Sequence, residues 1–286
     1  MKSVLALLQS ILNKYSDSEL LQMCKAINKD YNIYDPENVR WAKLEYVLNK
    51  TSPNDIKLLR ENCLSNRVVN DMIFNYYFCE RVIKYYFINH LRSKLDHIVA
   101  FEMSIGDSRI DICRINGSSY AYEIKTEYDT FDRLGTQMQD YVRTFEKVYV
   151  IVPHSKLDDV NSLIPEPCGI ISYRITRDKK VVFSYRKRAQ KNRCDIKFCL
   201  SSLSSIDMSY ILRLLNEKDF KTRAEKLTRL LQISDTQSIW TQYRELLKHK
   251  YAEQWWFVTQ HFDQILPIDI QSFFASKMDP CLLYTK

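Results

Sequence analysis

Residues Arg109–Ile115 and Ser119–Thr126 are rich in the side chains that favour strands, and Asn116-Gly117 stands between them. Asn-Gly is a strong two-residue hairpin signal, because a type I′ turn needs positive φ at both central positions. Strand alternation then places Glu123 and Lys125 on one face and Ile124 on the other. Tyr120, Tyr122 and Ile124 predict a covered face. Ala121, on the opposite side, leaves room beside the charges. Upstream, Asn75–Leu91 reads as one long helix, with Tyr77, Val82, Tyr85, Phe87 and Leu91 as its apolar bulk, followed by a strand over His97–Ile105. Downstream, Leu134, Met138, Val142 and Phe145 recur at helical spacing and predict an amphipathic helix. Strand Val148–Val152, a short helix Lys156–Leu163, and strands Gly169–Ile175 and Lys180–Tyr185 complete this stretch.

The flanks read as helical. Before the strands come Val4–Asn13, Ser18–Ile27, Asn38–Leu48 and Asp55–Cys63. Ser16-Asp17-Ser18-Glu19 supplies an N-cap, and Pro36 and Pro53 punctuate the region. After the strands come Met208–Leu215, Lys221–Ile233, Ser238–Lys248 and Ala252–Phe262. Trp240, Trp255, Trp256 and Phe257 lie there, suited either to a core or to a stacking or docking surface. Three consecutive regions follow: a helical 1–68, a mixed core 69–185 and a helical 186–286.

The chemistry concentrates in the paired strands. Two carboxylates, Asp111 and Glu123, and an ammonium, Lys125, are a compact set for holding a divalent metal against a phosphodiester. Mg²⁺ takes hard oxygen ligands, typically one or two carboxylates with water and phosphate in the remaining positions. A neighbouring lysine can orient or activate the attacking water, or offset transition-state charge. A lone carboxylate beside a lysine is ordinarily an exposed pair that contributes little. The half-buried strand argues against that reading here. Glu80 is a further acid in an apolar helix, where a charge needs either a partner, such as Arg81 or Lys84, or a role. Glu102, on the strand before, is its rival. Arg109 is placed either to contact phosphate or to pair with an acid.

Asp111, Glu123 and Lys125 resemble the PD-(D/E)XK nuclease superfamily, the restriction-endonuclease-like fold, in which an acid on one strand precedes a D/E-x-K triplet on the next. The nominal proline is absent, since Arg109-Ile110 precedes Asp111. Gln137-x-x-x-Tyr141 resembles a motif of the RecB-like and phage-exonuclease branches; with Arg133 it lies on one helical face. Asp111–Val152 as a whole is similar to a bacterial and phage subset in which Tyr-Glu-Ile-Lys is followed by Asp129, Arg133-Leu134 and the Gln-Tyr helix. The resemblance covers about residues 70–185. It implies an α/β fold with a mixed central sheet flanked by helices. It also implies a metal-dependent nuclease, with DNA the leading substrate. Asp111, Glu123 and the Ile124 carbonyl would hold Mg²⁺ or Mn²⁺. Lys125, Gln137 and Tyr141 would complete the catalytic site, with Glu80 the further acid.

Composition narrows the alternatives. Only 4 glycines occur among 286 residues, with neither a Walker A loop nor a dinucleotide fingerprint, which removes the simplest ATPase and dehydrogenase readings. The 8 cysteines are scattered without a Cys-x-x-Cys pair, arguing against zinc and for a reducing cytoplasm. Met1–Leu12 lacks the long apolar core of a cleaved signal, and no stretch approaches the ~20 apolar residues of a membrane span. Of the net +7, residues 186–286 hold 17 Lys and Arg against 11 Asp and Glu, a net +6. Arg186, Lys187, Arg188, Lys191 and Arg193 form the densest cluster. Lys218, Lys221, Arg223, Lys226 and Arg229 follow in a helical context. With Arg109 and Arg133 they form a candidate surface for a nucleic-acid backbone. Two other readings accompany the nuclease. One is a catalytically silent nuclease-like module that binds nucleic acid or protein. The other is the nuclease subunit of a larger defence or mobile-element complex, docked through its helical extensions.

Overall fold

The computed structural model describes residues 2–92 and 97–284. Six helices come first: α1 (Lys2–Leu12), α2 (Asp17–Asp30), α3 (Glu37–Val47), α4 (Pro53–Asn62), α5 (Ser65–Tyr76) and α6 (Glu80–Leu91). Their starts are written locally. The Ser16 hydroxyl accepts from the Glu19 N–H, and the Glu19 carboxylate accepts from the Ser16 N–H, closing a capping box on α2. Ser52 caps α4 with Pro53 at its first position. The single helix expected over Asn75–Leu91 is two. Tyr77 is extended, at φ −143° and ψ 92°, and the chain breaks between α5 and α6 with neither glycine nor proline to mark it.

The sheet follows, built from β1 (Ile98–Ile105), β2 (Ser108–Asn116), β3 (Ser118–Ile124), β4 (Lys147–Pro153), β5 (Gly169–Ile175) and β6 (Val181–Lys187) in that spatial order. β1–β2, β2–β3 and β5–β6 pair antiparallel; β3–β4 and β4–β5 pair parallel. The parallel steps cross over through α7 (Leu134–Thr144) and α8 (Leu157–Asn161). β4, at the centre of the parallel group, is buried along almost its whole length. The turn at Asn116-Gly117 differs from the expected type I′. Of the pair only Gly117 has positive φ, at +61°, and Asn116 instead ends β2 opposite Ser118. α9 (Ile196–Ser201), α10 (Ser205–Leu214), α11 (Arg223–Gln232), α12 (Thr236–His261), α13 (Ile270–Ser276) and α14 (Pro280–Leu283) end the chain. The two helices expected over Ser238–Phe262 are one, because nothing between Lys248 and Ala252 interrupts α12. Among the described residues no helix is long and apolar enough to cross a membrane.

The α/β class, a mixed six-stranded sheet with flanking helices, agrees with the sequence reading. The compact units are discontinuous and cut across the three consecutive regions. The first runs to Ile88 and takes in Arg177–Lys179 and the chain from Phe257 onward; the second is Asn89–Thr176 with Lys180–Trp256. The first unit buries Leu20, Cys24 and Ile27 of α2 with Trp41 and Leu44 of α3 and Val68 and Met72 of α5. The second builds its core on the sheet and packs α7 against β1, β2 and β4. Trp255 is buried beside His97, whereas Trp256 is 60% exposed.

Candidate functional site

The β2–β3 register pairs Ile112 with Tyr122 and Cys113 with Ala121, so Asp111 and Glu123 fall level at the open end of the hairpin on one face. That face is the one α7 covers. Met138 and Leu134 bury their side chains while Gln137 and Tyr141, one helical turn apart, reach the charges. Lys125 Nζ donates to Glu123 Oε1 at 2.9 Å and to Gln137 Oε1 at 3.1 Å. The Tyr141 hydroxyl lies 2.9 Å from Glu123 Oε2 and 2.8 Å from the Arg109 carbonyl, sharing its single proton between two acceptors. Asp111 Oδ2 accepts from the Ile124 N–H at 2.7 Å. Asp111, Glu123, Lys125, Ile124, Gln137 and Tyr141 therefore form one contiguous polar network.

The network is buried. Asp111 is 8% exposed, Glu123 3% and Tyr141 fully enclosed. Burial, followed by the Glu123, Asp111 and Asp140 carboxylates, pushes the Tyr141 hydroxyl far above the usual tyrosine range, so it is a proton donor at every working pH. Two carboxylates and an ammonium out of water cost several kcal/mol each before their interactions repay it. A fold that needed only packing here would use apolar side chains.

Glu102 joins the site from β1. Its carboxylate lies within 4.8 Å of the Asp111 carboxylate, and two hard oxygen donors at that separation suit a divalent cation. Glu102 also has φ +53° in mid-strand, a left-handed conformation costing roughly 1–2 kcal/mol for a residue with a Cβ. Its register neighbours Phe101 and Met103 pair normally with Ile112 and Ile110, so the distortion is confined to this one residue. Alternation carries no trace of such a distortion. Arg109, open between two roles in the sequence, pairs with Glu102 at 2.7 Å. Glu80 lies in the first unit as the opening residue of α6, where Lys84, one turn on, binds it at 2.5 Å.

The connection after β3 is held firmly. Thr126 donates through both its N–H and its hydroxyl to Asp129 Oδ2 at 2.7 Å, and Lys156 Nζ donates to the carbonyls of Thr126, Glu127 and Asp129. These residues place Lys125 and the start of α7, and only Asp129 among them was legible beforehand. Arg133, at the N-cap of α7, is exposed.

The basic cluster separates into different fates. Arg186, Arg188 and Arg193 are exposed; Lys187 is half-buried; Arg188 stacks on Tyr185 at 4.9 Å; and Lys191 pairs with Glu146 at 3.1 Å. The following group is largely spent on the fold. Arg229 makes a bidentate pair with Glu217, the buried Lys226 binds Asp219, and Arg223 donates to the carbonyls of Leu203 and Ser201. Fewer of these cations are thus open to a ligand than the sequence suggests.

Comparison with known proteins adds the lineage. The chain is 29% identical over 66 residues to protein cII of Enterobacteria phage P4, a stretch covering 23% of this chain and 25% of that protein. It therefore matches only a quarter of that relative's length. Among solved structures it resembles a protein of unknown function from Silicibacter pomeroyi at 15% identity and TM-score 0.31, over 52% of this chain and 86% of that one. It also resembles Pyrococcus furiosus SfsA in complex with Ca²⁺ at 12% identity and TM-score 0.24, over 37% and 60% of the two chains. Likenesses this distant carry no inference about activity. The family model for bacteriophage P4 protein cII matches residues 74–273, which takes in α6, the whole sheet and the helices after it as far as α13, and the chain belongs to that family.

Proposed function

We propose that this chain is a metal-dependent nuclease that hydrolyses phosphodiester bonds in nucleic acid, with DNA the leading substrate. The observation that carries the reading is the buried network itself: Asp111, Glu123, Lys125, Gln137 and Tyr141 converge on one face of the sheet. Asp111 and Glu102, whose carboxylates lie within 4.8 Å of each other, would hold Mg²⁺ or Mn²⁺ with Glu123 as a further ligand, and carboxylate oxygens fit such a cation. A bound divalent ion supplies charge stabilisation at phosphate and hydroxide near neutral pH. Lys125, fixed between Glu123 and Gln137, positions the attacking water. That water's oxygen forms the new bond to phosphorus, the bond to the leaving sugar oxygen breaks, and the water's proton leaves as that oxygen gains one. Tyr141 holds the outer oxygen of Glu123 and thereby aims its carboxylate.

One observation favours a catalytically silent module instead: both Glu123 oxygens are already engaged, by Lys125 and by Tyr141. The test is cleavage by the purified full chain of single- and double-stranded, linear and circular DNA, and of RNA, in Mg²⁺, Mn²⁺ or EDTA. Metal-dependent cutting supports the nuclease. Binding without cutting in every metal supports the silent module.

A further inference from the structure

Two strands away from the acids, two guanidinium groups converge on one imidazole. His154 follows β4 directly. Its Nε2 lies 2.5 Å from Arg174 Nη2, and its Nδ1 lies 3.4 Å from Arg186 Nη2. A guanidinium only donates. A neutral imidazole has one acceptor nitrogen and a protonated one has none, so at least one of these contacts sets donor against donor. Arg186 Nε also donates to the Ser172 hydroxyl at 2.8 Å, which fixes its fork over β5. No carboxylate bonds either arginine among the described residues. The nearby acids are Asp158 of α8, which acts on the ring from a distance, and Glu127, which is held by the Ser155 hydroxyl at 2.6 Å. Both arginines are exposed, so a ligand can reach them. Burial, then Arg174 and Arg186, hold the His154 ring below its ordinary titration range, as expected of an imidazole facing cations without a counter-anion.

The register puts these groups on the face that carries the acids. Glu123 pairs with Val150, and Val152, two residues on, pairs with Ser172. Paired residues share a face, as do residues two apart along a strand, so Ser172 and Arg174 lie on the side of Glu123. Arg186, unpaired at the register shift opposite Ile170 and Ile171, joins that side through its bond to the Ser172 hydroxyl. Two strand spacings separate β3 from β5, roughly 10 Å.

We infer that His154, Arg174, Arg186 and Ser172 form a binding site for a phosphate oxyanion of a nucleic-acid strand. The oxyanion supplies the acceptors that both guanidinium forks and the ring lack. The anion site stands on its own donors; that its phosphate belongs to the strand being cut rests on the nuclease reading.

The test uses the full chain in EDTA, following the His154 ring by NMR while inorganic phosphate is added at constant ionic strength. A saturable shift of the His154 resonances, with a raised titration midpoint, is expected for wild type and for Asp111→Asn. The same shift should be lost in Arg174→Gln and in Arg186→Gln, both exposed positions whose folding is checked by thermal melting. Oligonucleotides of one sequence, with and without a 5′-phosphate, then compete with phosphate. Equal competition assigns a backbone phosphodiester, and competition by the phosphorylated strand alone assigns a terminal monoester. Each arginine variant should also lower the salt slope of oligonucleotide binding by about 1. A folded wild type whose His154 resonances do not respond to phosphate overturns the site, as does a response that survives in both variants. Retention by Asp111→Asn keeps this result separate from any failure of the nuclease reading.

Discussion

Each unit buries a carboxylate under tyrosine hydroxyls, and the two sites differ in what else is present. In the first unit Asp269 is fully buried; its Oδ2 accepts from Tyr31 at 3.2 Å and Tyr284 at 2.8 Å, while Oδ1 has no partner among the described residues. Burial raises its pKa to about 6. It ties three distant segments together, the end of α2, the turn before α13 and the end of α14, and does so as a lone acid. In the second unit Glu123 has its tyrosine too, but also Lys125, the neighbouring Asp111 and a strained Glu102. A single acid under tyrosines is a clamp. A second acid and a lysine added to it make a site that packing alone does not explain.

The largest effect is expected at Asp111→Asn, which should remove carboxylate-dependent Mg²⁺ binding and lower cleavage by about 10³-fold or more, as loss of a principal charge-stabilising group does; calorimetric titration with Mg²⁺ checks the first half. An unchanged affinity would make the second-unit acids a clamp like Asp269.

Next comes the pH dependence of the first unit. Asp269 has a folded pKa of about 6 against an ordinary 3.8, so the native state holds its proton more tightly than the unfolded chain. Its contribution is present in full below about pH 4, falls as pH rises toward 6 and is flat above. It amounts to about 3 kcal/mol. Urea unfolding between pH 4 and 7 should show this slope in wild type and lose it in Asp269→Asn.

Tyr141→Phe should cost about 1–2 kcal/mol of stability, the loss of one buried hydrogen bond to a charged acceptor, and should slow cleavage by freeing Glu123. Thermal melting beside single-turnover cleavage reads both; a slower enzyme of unchanged stability would mean the hydroxyl serves the reaction alone. The smallest effect has the opposite sign. Glu102→Gly should stabilise the fold by about 1 kcal/mol by relieving the left-handed φ, while weakening metal binding. Glu102→Gly no more stable than Glu102→Ala, both of which lose the Arg109 pair, would show that Glu102 carries no strain.

What the chain disclosed in advance was local. The β2–β3 hairpin, the Glu123-x-Lys125 alternation and the four-residue spacing of Gln137 and Tyr141 are set by neighbours within a few positions, and the structure brings all of them together. What it withheld depends on distant partners. Tyr77 turns extended without a breaker residue, and α12 continues where two helices were expected. The chain from Phe257 onward joins a unit formed mainly by residues before Ile88. Arg174 and Ser172 gain meaning only from the β4–β5–β6 register, which no short window contains. The Lys226 and Arg229 charges looked available because their acids, Asp219 and Glu217, are seven and twelve residues away.

The role proposed for Lys125, positioning water over a metal-binding acid pair, is read out by single-turnover DNA cleavage with wild type and Lys125→Ala in Mg²⁺, with DNA binding in EDTA and thermal melting measured on the same preparations. Metal-dependent cutting is expected from wild type alone, with binding and folding retained in the variant. Cutting by Lys125→Ala at the wild-type rate would contradict it.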